Sequence, residues 1–398
     1  MIPYSVFRMP KTLNYGRHAF TKVGEEAASK GKKALIISDK VMESLGYVEE
    51  GVEYLKNAEV ECEVYLGVQS EPTDVYVEEA LELFMLKNCD VVISLGGGSC
   101  IDTGKAVTVL ATNRGYIGDY MGGRKVADQL SIPHIAIPTT AGTGSEATDV
   151  TIITNTSNEV KMMIKQPAFL PETAIVDPIL SLTSPQHVTA ATGIDALSHA
   201  IEAYISNQAH PMTDLIALSS MELIVNNIEK AYEDGENVKA REAMALGALQ
   251  GGIAFSNSSV CLVHGMSRPI GALFHVPHGY SNAMLLPAVL EFSKESSIER
   301  LADLGRIFSE EAKECSDEEA ADLAVTSVKK LCLKLEIPNL SRWGIDKQVF
   351  ESAISKMAGD ALESGSPTNN PRVPTQLEIE SLYRDCYNYD FSLERKVR

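Results

Sequence analysis

Asp90-Val91-Val92-Ile93-Ser94-Leu95-Gly96-Gly97-Gly98-Ser99-Cys100-Ile101-Asp102-Thr103-Gly104-Lys105-Ala106 is an apolar run that ends in three glycines and resumes at helical spacing. A short β-branched run, a glycine turn and a helix start read as a buried strand feeding a helix, the repeating unit of a parallel sheet covered on both faces. Further runs suited to buried strands lie on either side: Ala34–Ser38, His134–Pro138, Thr151–Thr154 and Ala174–Val176. Residues 1–180 are therefore expected to form an α/β domain with a mostly parallel sheet.

After Asp177-Pro178 the pattern changes. Ser184-Pro185 reads as an N-cap and first-turn pair, and from there Ala, Leu, Glu and Lys recur at helical spacing with almost no strand signal. Residues 181–398 are expected to be all helical. No long Gly/Ser/Pro linker separates the halves and no internal repeat is present, so two closely packed domains with a cleft between them are expected.

The 398-residue chain is long enough for two cores, and 44% hydrophobic with 22% charged residues is an ordinary globular composition. A formal net charge of -19 argues against a nucleic-acid partner and against docking on an anionic membrane. Charge alone speaks for solubility rather than for any particular function. No apolar run reaches the roughly 18 residues of a membrane span, and the opening residues lack a secretory pattern. Cys62, Cys89, Cys100, Cys261, Cys315, Cys332 and Cys386 are odd in number and scattered without a CxxC pair, which suits reduced thiols in a cytoplasmic protein.

Backbone N–H groups at a helix N-terminus attract phosphate, and glycines let it approach, so Gly96–Ser99 is a candidate phosphate turn. It has neither the GxGxxG spacing nor the Walker spacing, and the bland alternative is a tight strand-to-helix turn with no ligand. A second small-residue loop, Thr139-Thr140-Ala141-Gly142-Thr143-Gly144-Ser145-Glu146, follows the run at His134–Pro138. Two such loops at strand C-terminal ends favour a ligand in the crevice there. Asp39, just after an early strand, is either an acceptor for an adenosine ribose, which would repel the 2′-phosphate of NADP, or a helix cap.

Histidine is scarce, with eight in the chain, and five of them lie between His199 and His278. In Gly193-Ile194-Asp195-Ala196-Leu197-Ser198-His199-Ala200-Ile201-Glu202, Asp195 and His199 are i and i+4 and share a helix face. With His264 and His278 they make one carboxylate and three imidazoles, a donor set for a divalent first-row ion with room for substrate. His210, before Pro211, reads as a surface-loop histidine, and His275 reads as a cleft residue rather than a further ligand.

These motifs together resemble the iron-containing, or group III, alcohol dehydrogenases, the family of lactaldehyde reductase and 1,3-propanediol dehydrogenase. The resemblance runs over nearly the whole chain. It rests on Gly96–Asp102, Pro138–Glu146, Val160–Met162, Leu170-Pro171, Val176–Pro178, Gly193–Tyr204, His264–Gly271 and Val276–Gly279. It implies the dehydroquinate synthase-like fold of that family: a nucleotide-binding α/β domain, a helical metal-binding domain and an active site between them. It further implies Asp195, His199, His264 and His278 as ligands of Fe2+, with Zn2+ or another divalent metal as alternatives. Gly97, Gly98 and Ser99 fall at the pyrophosphate of NAD(H). Asp39, Asp102, Thr139, Thr140, Thr143 and Lys161 fall at the rest of the cofactor site.

One position departs from the family. Where many members carry a second histidine four residues after the third ligand, this chain has Arg268. Arginine is permanently charged and relays no proton, so a shuttle at that point is in doubt. His275, Arg268 and Asp102 are the candidate catalytic residues: His275 as an alternative proton route, Arg268 as a holder of an anionic substituent on the substrate. The expected reaction interconverts a small primary alcohol and its aldehyde with NAD(H). The alternative on the same scaffold is a glycerol dehydrogenase or a dehydroquinate synthase-like enzyme. The resemblance implies a homodimer, and the acidic charge leaves no membrane or nucleic-acid partner expected.

Overall fold

In the computed structural model, which describes residues 4–392, the strands in chain order are β1 (Thr12–Tyr15), β2 (Lys33–Ile37), β3 (Glu61–Tyr65), β4 (Val91–Gly96), β5 (His134–Pro138), β6 (Val150–Asn155), β7 (Val160–Lys165) and β8 (Thr173–Val176). Six of them form one sheet in the order β1-β8-β5-β4-β2-β3, and every pairing in it is parallel. Contacts divide the chain into two units, Val6–Ser184 and the part from Pro185 onward.

The sheet forms where the sequence offers side chains for both faces. Leu35, Ile37 and Val92 join one buried cluster, while Ala34, Ile36, Val91, Ile93 and Leu95 join the other, as the two-residue period of a strand requires. Each such Ile, Leu or Val contributes roughly 1.5–3 kcal/mol by leaving water. The edge strand β3 carries Glu61 and Glu63, both paired with Lys33, a charged edge that discourages further strands from adding on.

Two features differ from the sequence reading. The run Thr151–Thr154 is a strand, but not of the parallel sheet: β6 pairs antiparallel with β7 as a separate hairpin. A polar turn, Thr156-Ser157-Asn158-Glu159, joins them, and Glu159 takes a left-handed conformation with φ 58°. Both strands alternate in burial, so an amphipathic hairpin rather than a buried central strand is the consistent outcome. The first long helix starts at Gln186, with Pro185 rather than Ser184 at the capping position.

The register places the functional loops. Gly96 pairs with Pro138, and Thr139 N–H donates to the Gly96 carbonyl at 3.1 Å, so the glycine turn and the threonine loop leave the sheet side by side. Ser38 Oγ donates to the Leu95 carbonyl at 2.6 Å, bringing the end of β2 alongside. The chain passes from β2 outward to β3 and then back across to β4. The crevice between β2 and β4 is therefore the topological switch point, where open α/β sheets bind ligands.

From Pro185 onward the described residues contain helices and no strand. Helix Gln186–Ile205 is buried on nearly every side and packs against Pro211–Val225, Val238–Ser258 and His278–Ser293. A helix without a polar face is a core helix, and polar side chains on it must find partners inside the protein. No single helix among the described residues is long and apolar enough to cross a membrane.

Candidate metal centre and nucleotide loops

Asp195 and His199 lie on helix Gln186–Ile205, His264 on helix Leu262–Phe274, and His278 is the first residue of helix His278–Ser293. One donor atom from each of the four lies within 4.8 Å of the others. Asp195 Oδ1 is 3.5 Å from His264 Nε2 and 3.8 Å from His278 Nε2. The His199 and His264 rings stack at 4.4 Å, and Phe255 stacks on His199 at 4.3 Å. Asp195, His199 and His264 are buried, while His278 is the most open of the set. Gly279 keeps this last ligand in place by being small: a Cβ there would meet the Ala191 carbonyl at 2.7 Å.

Glu202 and Asn282 complete the cluster, and the sequence reading did not single them out. The Glu202 carboxylate, 1% exposed, accepts from Val263 N–H at 2.7 Å and takes Nδ1 of His264. An ionised carboxylate only accepts, so Nδ1 carries a proton and Nε2 is the nitrogen turned toward Asp195 and His278. Asn282, fully buried, places Nδ2 2.6 Å from Asp195 Oδ1, 3.0 Å from His264 Nε2 and 3.1 Å from His278 Nε2. Spacing carries both residues: Glu202 is i+3 from His199 and i+7 from Asp195, and Asn282 is i+4 from His278.

The charges fit a cation. Burial works to raise the Asp195 carboxyl, yet His199, His278 and His264 outweigh it and hold the group well below the usual carboxylate range. Burial works to strip a proton from His264, yet Glu202 and Asp195 push it up to about 9. Two buried carboxylates among the imidazoles favour a positive centre, supplied by a proton on His264 or by a divalent ion that displaces that proton.

Arg268 follows one turn after His264 and is buried, with one guanidinium nitrogen donating to Ser366 Oγ at 3.0 Å and Nε without a hydrogen-bond partner. Burial lowers it to about 10 against the pull of Glu202. It neither turns to solvent nor closes an ion pair. His275 stands apart from the four-residue cluster: it is exposed, and ends helix Leu262–Phe274 in a left-handed conformation with φ 54°. His210, expected in a surface loop, is the half-buried N-cap of helix Pro211–Val225.

In the α/β unit, Gly97 is the N-cap of helix Gly98–Asn113. Gly96 has φ 152°, and a Cβ there would lie 2.6 Å from Cys100 Sγ. Thr140 and Thr143 border Gly97 and Gly98, within 3.9 and 2.9 Å of where their Cβ atoms would be. The structure thus gathers Gly97, Gly98, Ser99, Thr139, Thr140 and Thr143 at one sheet end. Asp39 sits at the same end as a helix cap, its Oδ1 accepting from Val41 and Met42 N–H at 2.8 and 2.9 Å. Its Oδ2 faces Cys100 Sγ at 3.6 Å.

Asp102, a candidate catalytic and cofactor-site residue, is held inside the α/β unit. Its carboxylate accepts from Ser145 Oγ and from Ile152 N–H at 2.9 Å, and lies 3.6 Å from Lys105 Nζ. Both oxygens are engaged within the fold, so it anchors the threonine loop and the hairpin. Lys105, fully buried, donates to Ser145 Oγ at 2.7 Å, Thr148 Oγ1 at 2.9 Å and the Val150 carbonyl at 2.6 Å. Lys161, on β7, is paired with Glu71 at 3.1 Å rather than presenting a free ammonium.

An α/β unit with loops gathered at its switch point, followed by a helical unit bearing such a donor cluster, is the architecture of a metal-assisted dehydrogenase. Residues 10–178 match the model of the iron-containing alcohol dehydrogenases, and residues 189–387 match the C-terminal model of the same family. The 1,3-propanediol dehydrogenase of Citrobacter freundii is 37% identical over 384 residues, covering 96% of this chain and 98% of that protein. The crystal structure of a 1,3-propanediol oxidoreductase superposes with a TM-score of 0.92 at 36% identity, over 96% of this chain and 100% of the other. Sulfoacetaldehyde reductase from Bifidobacterium kashiwanohense, in complex with NAD+, superposes with a TM-score of 0.86 at 25% identity, over 97% and 100%. The chain belongs to the iron-containing alcohol dehydrogenase family and is an oxidoreductase of that family.

Proposed function

We propose that this enzyme interconverts a small primary alcohol and its aldehyde with NAD(H), using one divalent ion, Fe2+ by family, held by Asp195, His199, His264 and His278. The observation that carries the proposal is the convergence of those four donor atoms within 4.8 Å. Such an ion, when bound, supplies Lewis acidity to the substrate oxygen, and the nicotinamide supplies the hydride chemistry.

The protein's own part is orientation and charge. Glu202 holds Nδ1 of His264, and Asp195 offsets part of the ion's charge, so the ion with its four ligands alone stays net positive and favours an anionic oxygen. Gly97, Gly98 and Ser99 offer backbone N–H groups to the pyrophosphate at the helix N-terminus, and Thr139, Thr140 and Thr143 line the same turn. Asp39 offers Oδ2 to the adenosine ribose, and its charge disfavours a 2′-phosphate, which supports NAD over NADP. Asp102 and Lys161 act through the loops they hold. The free cysteines among the described residues suit a reducing, cytoplasmic setting, and family membership supports a homodimer.

A second reading concerns the substrate's other end. Arg268 is a buried cation with an unpartnered Nε, and a structural relative is named for a sulfonated aldehyde. Both favour an aldehyde bearing a carboxylate, sulfonate or phosphonate group. The test is NADH oxidation with a panel of neutral and acidic small aldehydes under anaerobic Fe2+. The expected result is turnover that requires the ion and disappears in His278→Ala. Undiminished turnover by chelated His278→Ala would overturn the proposal.

A further inference from the structure

Arg268 is 9% exposed, and a guanidinium carries five N–H bonds. One of them, on Nη1, donates to Ser366 Oγ at 3.0 Å, and among the described residues Nε has no acceptor. The carboxylate that pulls on this charge is Glu202, already taken by Val263 N–H and His264 Nδ1. Ser366 is itself held firmly. It opens the short turn Ser366–Asn369 behind Gly365, which is left-handed with φ 74°. Pro367 seats on Gly265, the residue after His264: a Cβ on Gly265 would lie 2.8 Å from the proline ring. Asn369 Nδ2 donates to Ser259 Oγ at 3.0 Å and to the Val260 carbonyl at 3.3 Å. The Asn369 and Asn370 carbonyls accept from Asn207 N–H and Nδ2, both at 2.8 Å. The hydroxyl of Ser366 therefore has a fixed place beside helix Leu262–Phe274.

An arginine side chain turns about several bonds and loses that freedom when it grips a ligand, unless something holds it beforehand. A carboxylate at position 366 would hold it too, but would neutralise it and compete with an anionic ligand. A hydroxyl orients the guanidinium and leaves its charge in place. We infer that Ser366 is a positioning residue for the substrate: it fixes Arg268 through Nη1, so that the remaining N–H bonds receive an oxyanion group carried by the aldehyde. The inference deepens the reading of Arg268 given above and rests on it. Such a site acts on the part of the substrate that does not react, so its loss shows in substrate binding rather than in the chemical step.

The test compares Fe2+-loaded wild type, Ser366→Ala, Ser366→Thr, Ser366→Asp and Arg268→Gln, with NADH, on sulfoacetaldehyde and on 3,3-dimethylbutanal, a neutral aldehyde of similar shape. Ser366→Ala is expected to raise KM for sulfoacetaldehyde about tenfold with kcat nearly kept, and to leave the neutral aldehyde nearly unchanged. Ser366→Thr keeps the hydroxyl and is expected to retain the wild-type KM. Ser366→Asp neutralises Arg268 and is expected to raise KM for sulfoacetaldehyde at least as far; it decides the matter should the alanine variant not fold. Binding is also read without turnover: ethanesulfonate, which cannot react, is expected to raise the Tm of wild type more than chloride at equal concentration does, and not that of Ser366→Asp. An unchanged KM for sulfoacetaldehyde in Ser366→Ala and Ser366→Asp, or equal losses on both aldehydes, overturns the inference, and a selective loss in Arg268→Gln then leaves the reading of Arg268 standing. Equal losses on both aldehydes in Arg268→Gln, or no Tm shift of wild type with ethanesulfonate, overturn both.

Discussion

Glu202 takes Nδ1 of His264, and thereby decides which nitrogen of that ring faces Asp195 and His278. The carboxylate is itself held by Val263 N–H on the neighbouring helix. Partners of this kind set ligand tautomer and basicity, and losing one costs metal affinity about 10–100-fold. Glu202→Ala is expected to weaken metal binding by such a factor, with Glu202→Gln intermediate because it retains an acceptor oxygen. Isothermal titration of the metal-depleted variants measures this, and affinity equal to wild type in Glu202→Ala would remove Glu202 from the account.

Arg268 bears on substrate choice. A hydrogen bond to a charged group contributes about 1.5–3 kcal/mol, so Arg268→Gln is expected to lower kcat/KM for acidic aldehydes by roughly tenfold or more. Neutral aldehydes of the same length should change little. Equal losses for both classes would assign Arg268 a structural role beside Ser366.

Glu146 gives the α/β unit a pH signature. Burial pushes its carboxyl up to about 7, against its own backbone N–H and Lys105. The folded state then keeps a proton that the unfolded chain releases from about pH 4.5, so this group's contribution to stability is full below that pH and is lost as pH rises through 7. One pKa unit corresponds to about 1.4 kcal/mol. Glu146→Gln is therefore expected to raise Tm relative to wild type more at pH 8 than at pH 5. A Tm difference that does not change with pH would show that Glu146 is ionised when buried.

Lys105 ties helix Gly98–Asn113 to the loop that carries Ser145 and Thr148. Removing one partner of a buried ion pair costs about 3–5 kcal/mol, because the other charge is left uncompensated. Lys105→Met is expected to lose that much in denaturant unfolding, and Asp102→Asn added to it should restore part. A loss under about 1 kcal/mol in Lys105→Met would contradict the anchoring role.

The fold was legible where period and glycine agreed. Val91–Gly96 and His134–Pro138 are buried on both faces and end in small-residue turns, so strand, turn and helix start all point one way. Edge strands were not legible: Glu61–Tyr65 is too charged and Thr12–Tyr15 too short to stand out, and the sheet supplies their pairing. Of the candidate site, Asp195, His199, His264 and His278 could be read because histidine is scarce. Glu202 and Asn282 share their helix faces, but Glu and Asn are common and only three-dimensional contact separates a partner from a bystander. The partners of Asp102 were not legible either: Ser145 and Ile152 reach its carboxylate from 43 and 50 residues further along the chain, and Lys105 from its own helix, contacts that only the fold makes.

The most direct measurement is a count of ions bound per chain, by elemental analysis of protein loaded with Fe2+ under anaerobic conditions, alongside NADH binding by fluorescence. Wild type is expected to hold a single ion, and Asp195→Ala and His278→Ala none, with NADH binding largely intact in all three. Variants that keep a full complement of iron at wild-type affinity would contradict a centre built from Asp195, His199, His264 and His278.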